Sequence, residues 1–186
     1  MTPMRHLTRE ECEQGLERIR SAPADAGTLE LIVRRPEVNA REVLEEGQLD
    51  PAVGLVGDSW HLRRSRMTPD GSPHPGMQLN VMNARVVELL AQARERWSLA
   101  GDQLYLDLDL SARNLPPGTR LALGTAAIEV TPVPHLGCEK FVERFGVDAM
   151  KFVNSPLGRE LRLRGLNARV VTAGVVRRGD VVRKIP

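Results

Sequence analysis

This 186-residue chain is poor in aromatic residues and in cysteine, and it lacks a long apolar run. Aromatic residues make up only 3% of it, so platforms on which single-stranded nucleic acid can stack are scarce. Its two cysteines, Cys12 and Cys138, cannot supply the four ligands of an iron–sulfur cluster or a structural zinc site. No run reaches the roughly 18 apolar residues of a transmembrane helix. These shortages argue against nucleic acid and a membrane as partners.

Sequence signatures of several enzyme classes are also missing. The chain has no glycine-rich dinucleotide or P-loop motif, no Gly-x-Ser-x-Gly elbow and no His-x-x-x-His pair. Residues 1–7 lack the apolar core of a signal peptide, and the four glutamates within residues 10–17 argue against a transit peptide. We therefore expect a cytoplasmic protein whose thiols are not bridged.

Charge is spread unevenly along the chain. The net charge is +2, but residues 139–186 hold 11 basic and 5 acidic side chains, directly after Cys138. A basic tail raises the hypothesis of an RNA-binding barrel, which predicts that affinity falls steeply with salt. Because the basic residues are interleaved with core positions, a small anionic cofactor such as a phosphate fits the pattern better.

Hydrophobic periodicity predicts short strands and peripheral helices. A capping box at Thr8 begins a helix over 8–20 with Cys12 on its buried face, and alternating leucines predict a half-buried strand over 104–110. Residues 51–78 read as a long irregular loop, which in compact domains is often functional. Further strands are predicted at 29–33, 78–81, 119–123, 126–131, 168–173 and 175–183, with a hairpin turn at 178–180. Further helices are predicted at 83–97, from 138 with an interruption at Gly146, and from Ser155 to near Gly165.

These elements predict a mainly β fold, a distorted closed β-barrel with several short peripheral helices. Residues 1–27 are expected to form an N-terminal helical extension packed on the barrel, and residues 28–186 the barrel domain. The length suits a single domain with a real core.

Cys138 is the most informative residue. With Phe141, Val142 and Phe145 it has the spacing of one helix face, which places its thiol in a first turn where unpaired N–H groups and the macrodipole favour thiolate. The alternative interpretation is a small buried hydrophobe. His135, three residues earlier, would favour the thiolate further as an imidazolium, or it is a solvated loop histidine.

Several polar residues are candidates for binding a cofactor, each with an ordinary alternative. Asp58 and His61 lie in the long loop, where aspartate also favours turns. Arg63 and Arg64 form a basic cluster that is either solvated or a bidentate phosphate site. The remaining candidates are Lys140, Arg164, Asn80 and Asn167; the two asparagines, if buried, need hydrogen-bond partners such as a pterin or a backbone edge.

Five stretches of the chain follow one another in a recognisable order. They are Gly54-Leu55-Val56-Gly57-Asp58, residues 77–82 with their leading Gln78, residues 107–121 with an Asn-Leu-Pro-Pro-Gly turn, the single Cys138, and the closing strands 164–170 and 174–182. Together they resemble the MOSC family, the module named for the C-terminal region of molybdenum cofactor sulfurases. The resemblance covers residues from about 28 to the end.

The resemblance implies a barrel of the pyruvate-kinase type and sulfur or molybdenum chemistry at Cys138. Cys138, with His135 beside it, would carry a persulfide or ligate molybdenum, and the cofactor would be molybdopterin or cysteine-bound sulfane sulfur. The chain has no aminotransferase-like domain, and none of its three lysines lies in a pyridoxal-type site, so we do not expect pyridoxal phosphate.

Partner proteins should therefore supply the sulfur or the electrons. The competing hypothesis is a non-catalytic module that binds a cofactor or a partner and in which Cys138 is structural. The sequence does not indicate an oligomeric state.

Overall fold

The computed structural model describes residues 4–186, which form eleven strands and six short α-helices. The strands are β1 (Ala26–Arg34), β2 (Glu42–Leu44), β3 (Glu46–Asp50), β4 (Gly54–Leu55), β5 (Leu79–Asn83), β6 (Leu104–Asp107), β7 (Arg120–Leu123), β8 (Ala126–Val130), β9 (Leu166–Thr172), β10 (Gly174–Arg177) and β11 (Val181–Ile185). The α-helices are α1 (Arg9–Gln14), α2 (Leu16–Arg20), α3 (Ala84–Ala91), α4 (Glu139–Phe145), α5 (Val147–Asn154) and α6 (Pro156–Glu160). Short 3-10 helices occupy Ser59–Leu62, Pro75–Met77 and Arg94–Ala100.

Seven of these strands close into a barrel, which confirms the predicted fold class. The ring runs β1, β11, β7, β8, β9, β5 and β6, and β6 pairs again with β1. Every pair in the ring is antiparallel except β5 with β6, so the barrel is mixed. Strand β2 extends the sheet beside β1, while β10, β3 and β4 form a separate three-stranded sheet.

Apolar side chains form two layers, one inside the barrel and one between its wall and the helices. Strand β6 contributes to both, because Leu104 and Leu106 belong to the inner cluster and Tyr105 to the outer one. Tyr105 is fully buried, and its hydroxyl donates to the carbonyl of Trp97 at 3.0 Å. The alternation that predicted a half-exposed strand therefore marks a strand covered on both faces.

The N-terminal helix differs from the prediction at Gly15. The capping box of Thr8 and Glu11 is present and Cys12 is fully buried, as predicted. The predicted helix 8–20 is divided into α1 and α2 at Gly15, where any Cβ would collide with the side chain of Leu89. Burial, helped by the charge of nearby Asp148, raises the pKa of the Cys12 thiol to about 11.

Three other expectations are corrected. The helix predicted over 83–97 ends at Ala91 because Gln92 adopts a left-handed φ of 60°, and a 3-10 helix follows. The turn at 178–180 does not form a hairpin, since β10 pairs with β3 and β11 pairs with β1 and β7. The long loop 51–78 contains β4 and two 3-10 helices.

Within residues 4–186, none of the helices combines the length and the apolar character that a membrane span requires.

Candidate functional site

Cys138 lies at the end of the segment that leads from β8 into α4. It is the N-cap of α4 rather than a residue of its first turn, and its carbonyl accepts hydrogen bonds from the N–H groups of Phe141 at 2.9 Å and Val142 at 3.2 Å. Its side chain makes no capping hydrogen bond and is exposed, whereas Phe141 and Phe145 are buried. The thiol is therefore accessible and is not part of the core.

A cavity of about 360 Å³ lies beside this thiol. Among the residues that line it, no side chain is a carboxylate, and six are cationic. Such a cleft concentrates positive potential and favours anions. The cationic residues are Arg35, Arg41, Arg63, Lys140, Arg144 and Arg164.

Arg35 is held in place by the buried carboxylate of Asp58. Asp58 Oδ2 accepts hydrogen bonds from the backbone N–H and the Nε of Arg35, both at 2.9 Å, and Oδ1 accepts one from Nη2 at 3.0 Å. Burial alone would raise the pKa of Asp58, but the hydrogen bonds and charge of Arg35 outweigh it and hold the pKa below its ordinary value. Asp58 is thus an ion-pair partner behind the cavity and not a residue of its lining.

Arg164 and His135 share a second buried carboxylate, Asp102. Arg164 Nη1 donates to both oxygens of Asp102, at 3.0 and 2.7 Å, and His135 Nε2 lies 2.8 Å from Oδ1. Burial and the charge of Arg164 lower the pKa of His135, despite the opposing charge of Asp102. His135 thus hydrogen-bonds to Asp102 rather than to the thiol of Cys138, and its lowered pKa keeps it neutral near pH 7.

The two asparagines join Arg35 to the segment that carries Cys138. Arg35 Nη1 donates to Asn80 Oδ1 at 2.8 Å, and Asn80 Nδ2 donates to Asn167 Oδ1 at 2.7 Å. Asn167 Nδ2 then donates to the carbonyls of Val133 at 3.1 Å and Pro134 at 3.3 Å. Both amides therefore have protein partners, and they tie the cysteine segment to the barrel.

The outer cations of the cavity have weaker partners. Lys140 Nζ donates to Asn39 Oδ1 at 3.1 Å, and Arg144 Nη1 donates to the carbonyl of Leu99 at 2.7 Å. Among residues 4–186, the one acceptor of the Arg41 side chain is the carbonyl of neighbouring Ala40. Burial, together with the charges of Arg144 and Arg35, lowers the pKa of Arg41. This repulsion among like charges would be relieved by a bound anion.

Buried guanidinium atoms near the cavity lack partners. Within residues 4–186, three guanidinium nitrogens are buried without a hydrogen-bond acceptor: Arg41 Nε, Arg164 Nε and Arg96 Nε, the last outside the cavity lining. An unpaired buried donor costs free energy, and native proteins contain few of them. Since all three atoms lack accessible surface and one belongs to a residue outside the lining, they lie behind the cavity and do not identify a ligand.

The structure brings most of the predicted site residues together. Cys138, Arg63, Asn80, Lys140 and Arg164 line the cavity. Arg64 lines a smaller adjoining cavity. Asp58 and Asn167 lie behind them, as described above.

The other two predicted residues lie apart from the cavity lining. His61 is exposed, with Nδ1 3.0 Å from the Asp58 carbonyl oxygen, and it lines neither the cavity at Cys138 nor the adjoining one at Arg64. His135 borders a separate cavity of about 220 Å³.

Sequence reasoning missed Arg35, Arg41, Asp102 and the lining role of Arg144. The sequence contains one indication of Arg35, since it is a charged residue that stands immediately before Pro36 at the end of an apolar strand. Arg41 and Asp102 gave none, because each is brought to the site by contacts with residues distant in the chain.

These features define a closed, mainly β barrel with an accessible cysteine beside a cationic cavity. Among solved structures, the YuaD protein from Bacillus subtilis matches with a TM-score of 0.61 and 15% identity, over 84% of this chain and 94% of that one. YiiM from Escherichia coli matches with a TM-score of 0.55 and 17% identity, over 86% of this chain and 70% of that one. YiiM from Geobacillus stearothermophilus matches with a TM-score of 0.53 and 11% identity, over 88% of this chain and 74% of that one. These likenesses support a MOSC-like fold.

By sequence, no protein family matches the chain and no curated protein matches it.

Proposed function

We propose that the cavity beside Cys138 binds a molybdenum–pterin cofactor and that the Cys138 thiolate ligates its metal. The observation that carries this proposal is an exposed thiol on the wall of a cavity lined by six cations and no carboxylate. This cationic lining fits a ligand rich in acceptor oxygens, as a phosphate-bearing cofactor is.

The ligand set of the chain also fits a metal that arrives with ligands of its own. Within the described residues, no group of three or more His, Cys, Asp or Glu side chains could hold a metal ion. A single thiolate cannot retain a bare ion, but it can complete the coordination of one already bound by the sulfurs of a pterin. Molybdenum held there would supply two-electron chemistry such as reduction of an N–O bond.

The residues of the chain would divide the work of binding. Arg41, Arg63 and Lys140 would meet the phosphate, since their side chains line the cavity and have few protein partners. Asp58 holds Arg35 and Asp102 holds Arg164, so these two arginines would provide fixed positive charge at the inner side of the cavity. Asn167 would hold the cysteine segment in position through the carbonyls of Val133 and Pro134.

A second candidate function is persulfide transfer, favoured by the exposure of the thiol. The Cys138 thiolate would attack the outer sulfur of a donor persulfide. A new S–S bond forms to Cys138 while the donor S–S bond breaks, and the donor leaves as its thiolate. Delivery to an acceptor thiolate reverses this exchange, and neither step needs an external oxidant.

The proposal is tested by loading the purified protein with molybdenum cofactor and measuring retained molybdenum by mass spectrometry after desalting. We expect stoichiometric molybdenum in the wild type and in Cys12→Ala, and loss of it in Cys138→Ala. Arg41→Gln combined with Lys140→Gln should also lose the cofactor, whereas Arg113→Gln, an exposed residue that does not line the cavity, should keep it. Reduction of an N-hydroxylated base by the loaded protein tests the redox role.

The alternatives give different results in the same experiments. Persulfide transfer predicts a mass increase of about 32 daltons, one sulfur atom, on Cys138 without metal and no reductase activity. A non-catalytic binding module predicts that Cys138→Ala binds the cofactor as tightly as the wild type does. No retained molybdenum and no added sulfur in the wild type would refute both candidate functions.

A further inference from the structure

One aromatic ring in this chain is not part of the core. The chain has three phenylalanines, two tryptophans and one tyrosine. Five of these six rings are buried, with exposures of 0 to 6%: Trp97, Tyr105, Phe141, Phe145 and Phe152. The sixth, Trp60, is only half-buried and lines a cavity. A large apolar ring left partly open to solvent at a cavity needs an explanation that core packing does not give.

The cavity at Trp60 adjoins the one at Cys138. It has a volume of about 150 Å³ and shares Arg35, Arg63 and Asn80 with the larger cavity. Its other walls include Pro73, Met77 and His74. It is smaller than the roughly 300 Å³ or more of pockets that hold a whole drug-sized ligand. One planar ring system attached to a larger ligand therefore suits it better than a complete ligand.

Asp58 fixes Trp60 and Arg35 relative to each other. The carboxylate that holds the Arg35 guanidinium also accepts a hydrogen bond from the backbone N–H of Trp60 at 3.0 Å, which caps the 3-10 helix Ser59–Leu62. The N–H of Ser59 donates to the carbonyl of Arg35 at 2.9 Å. One buried side chain thus fixes the backbone of Trp60 and the guanidinium of Arg35, which brings an aromatic residue and a cation to one cavity and suits a ligand with a ring and an anionic group.

One polar group of this cavity is also oriented. His74 Nδ1 accepts a hydrogen bond from the N–H of Gly76 at 3.0 Å, so a neutral imidazole holds its proton on Nε2 and can donate it. Ring nitrogens and carbonyl oxygens accept from such a donor.

We propose that the cavity at Trp60 binds a planar heteroaromatic ring, which stacks on the indole while the anionic part of the same ligand lies among the cations beside Cys138. The ring belongs either to a pterin or to a purine-like substrate, and both have the required face and acceptors. The inference rests on the proposed function in treating the ring and the anion as parts of one ligand. Ring binding is nevertheless measurable without metal, phosphate or Cys138.

Tryptophan fluorescence tests the inference directly because the chain has two tryptophans and one is buried. Pterin and adenine, which lack phosphate, are titrated separately into the wild type. We expect saturable quenching by at least one of them, and the tighter binder identifies the source of the ring. The quenching should disappear in Trp60→Phe and persist in Trp97→Phe. Saturable quenching in Trp60→Phe equal to that of the wild type, or none in the wild type by either ring, would overturn the inference.

Calorimetry separates stacking from folding effects. Trp60→Phe retains a ring and should bind the probe within about threefold of the wild type, whereas Trp60→Leu should lose about 5- to 150-fold in affinity, the usual range for loss of an aromatic stacking partner. Leu62→Ala is a matched control in the same 3-10 helix, because Leu62 is 72% exposed and lines neither cavity. It should bind as the wild type does. Equal affinity of Trp60→Leu and the wild type would contradict the stacking role.

The same variants distinguish failure of this inference from failure of the proposed function. Inorganic phosphate should bind Trp60→Leu and the wild type equally and should bind Arg41→Gln more weakly. Intact phosphate and molybdenum binding with no ring binding would refute only the inference. Ring binding that depends on Trp60, together with absent molybdenum loading, would refute the proposed function and leave the ring site supported.

Discussion

Replacing Asp58 with asparagine should destabilise the fold strongly, because it removes the countercharge of a buried arginine. The side chains of Asp58 and Arg35 are 0% and 5% exposed, so solvent cannot replace the lost partner. Removing one member of a buried ion pair usually costs about 3–5 kcal/mol. We expect Asp58→Asn to fall in that range at neutral pH.

The hydrogen-bond pattern explains why asparagine cannot substitute. Oδ2 accepts two bonds from Arg35, and Oδ1 accepts from Arg35 Nη2, the Trp60 N–H at 3.0 Å and Gln103 Nε2 at 3.3 Å. A carboxamide has one oxygen, so in either orientation its NH₂ faces at least two donors. Those donors lose their acceptor in a site that excludes water.

The effect should also depend on pH in a defined direction. The folded-state pKa of Asp58 lies below its ordinary value of 3.8, so its carboxylate stabilises the fold above that pH and the contribution is lost as the pH falls through the folded-state pKa. The difference in unfolding free energy between wild type and Asp58→Asn should therefore stay constant from about pH 7 to about pH 5 and shrink as the pH falls below 3.8. Other titrating groups are common to both proteins and cancel to first order.

Urea denaturation followed by circular dichroism at each pH measures this difference. Asp25→Asn is the control, because the side chain of Asp25 is 87% exposed and its ion pair with Lys184 is solvated, so no measurable change is expected. A loss of less than about 1 kcal/mol for Asp58→Asn, or a difference that stays constant down to acid pH, would refute the reasoning.

Three further predictions follow from burial and backbone geometry. Iodoacetamide should label one thiol of the native protein, at Cys138, and should reach Cys12 only after unfolding; Cys138→Ala should show no native labelling by mass spectrometry. Gly165→Ala should cost about 2 kcal/mol or more in urea denaturation, since Gly165 has a φ of +114° and a Cβ there would collide with the carbonyl of Val81. Because the pKa of His135 is lowered in the fold, stability should fall as the pH drops below its ordinary value of 6.5, and His135→Gln should flatten that part of the curve.

Local patterns in the sequence predicted the barrel and the helix that begins after Cys138. Alternating leucines marked β6, the capping box marked α1, and the spacing after Cys138 placed that thiol at a helix start. The thiol proved to lie one position before the helix, which is why it is exposed while Phe141 is buried. Each of these signals lies within a few residues of what it describes.

The parts that sequence reasoning missed depend on contacts between distant residues. Arg35 and Asp58 are 23 positions apart, and Asp102 and Arg164 are 62 apart. Each charge on its own looks like an ordinary surface residue, and only closure of the barrel buries the pairs. The left-handed Gln92 that ends α3 has no local signal either, because glutamine is not a residue typical of that conformation.

The two buried carboxylates also explain why the cavity keeps its positive charge. Asp58 and Asp102 approach Arg35 and Arg164 from behind and use their oxygens on hydrogen bonds there, so neither carboxylate lines the cavity. The cavity side of the same arginines, with Arg41 and Lys140 beside them, is left without an anion. Crowding of like charges costs folding free energy, and a protein under no functional demand would gain stability by placing an acidic residue in the lining. The arrangement therefore supports the proposed binding of an anionic ligand.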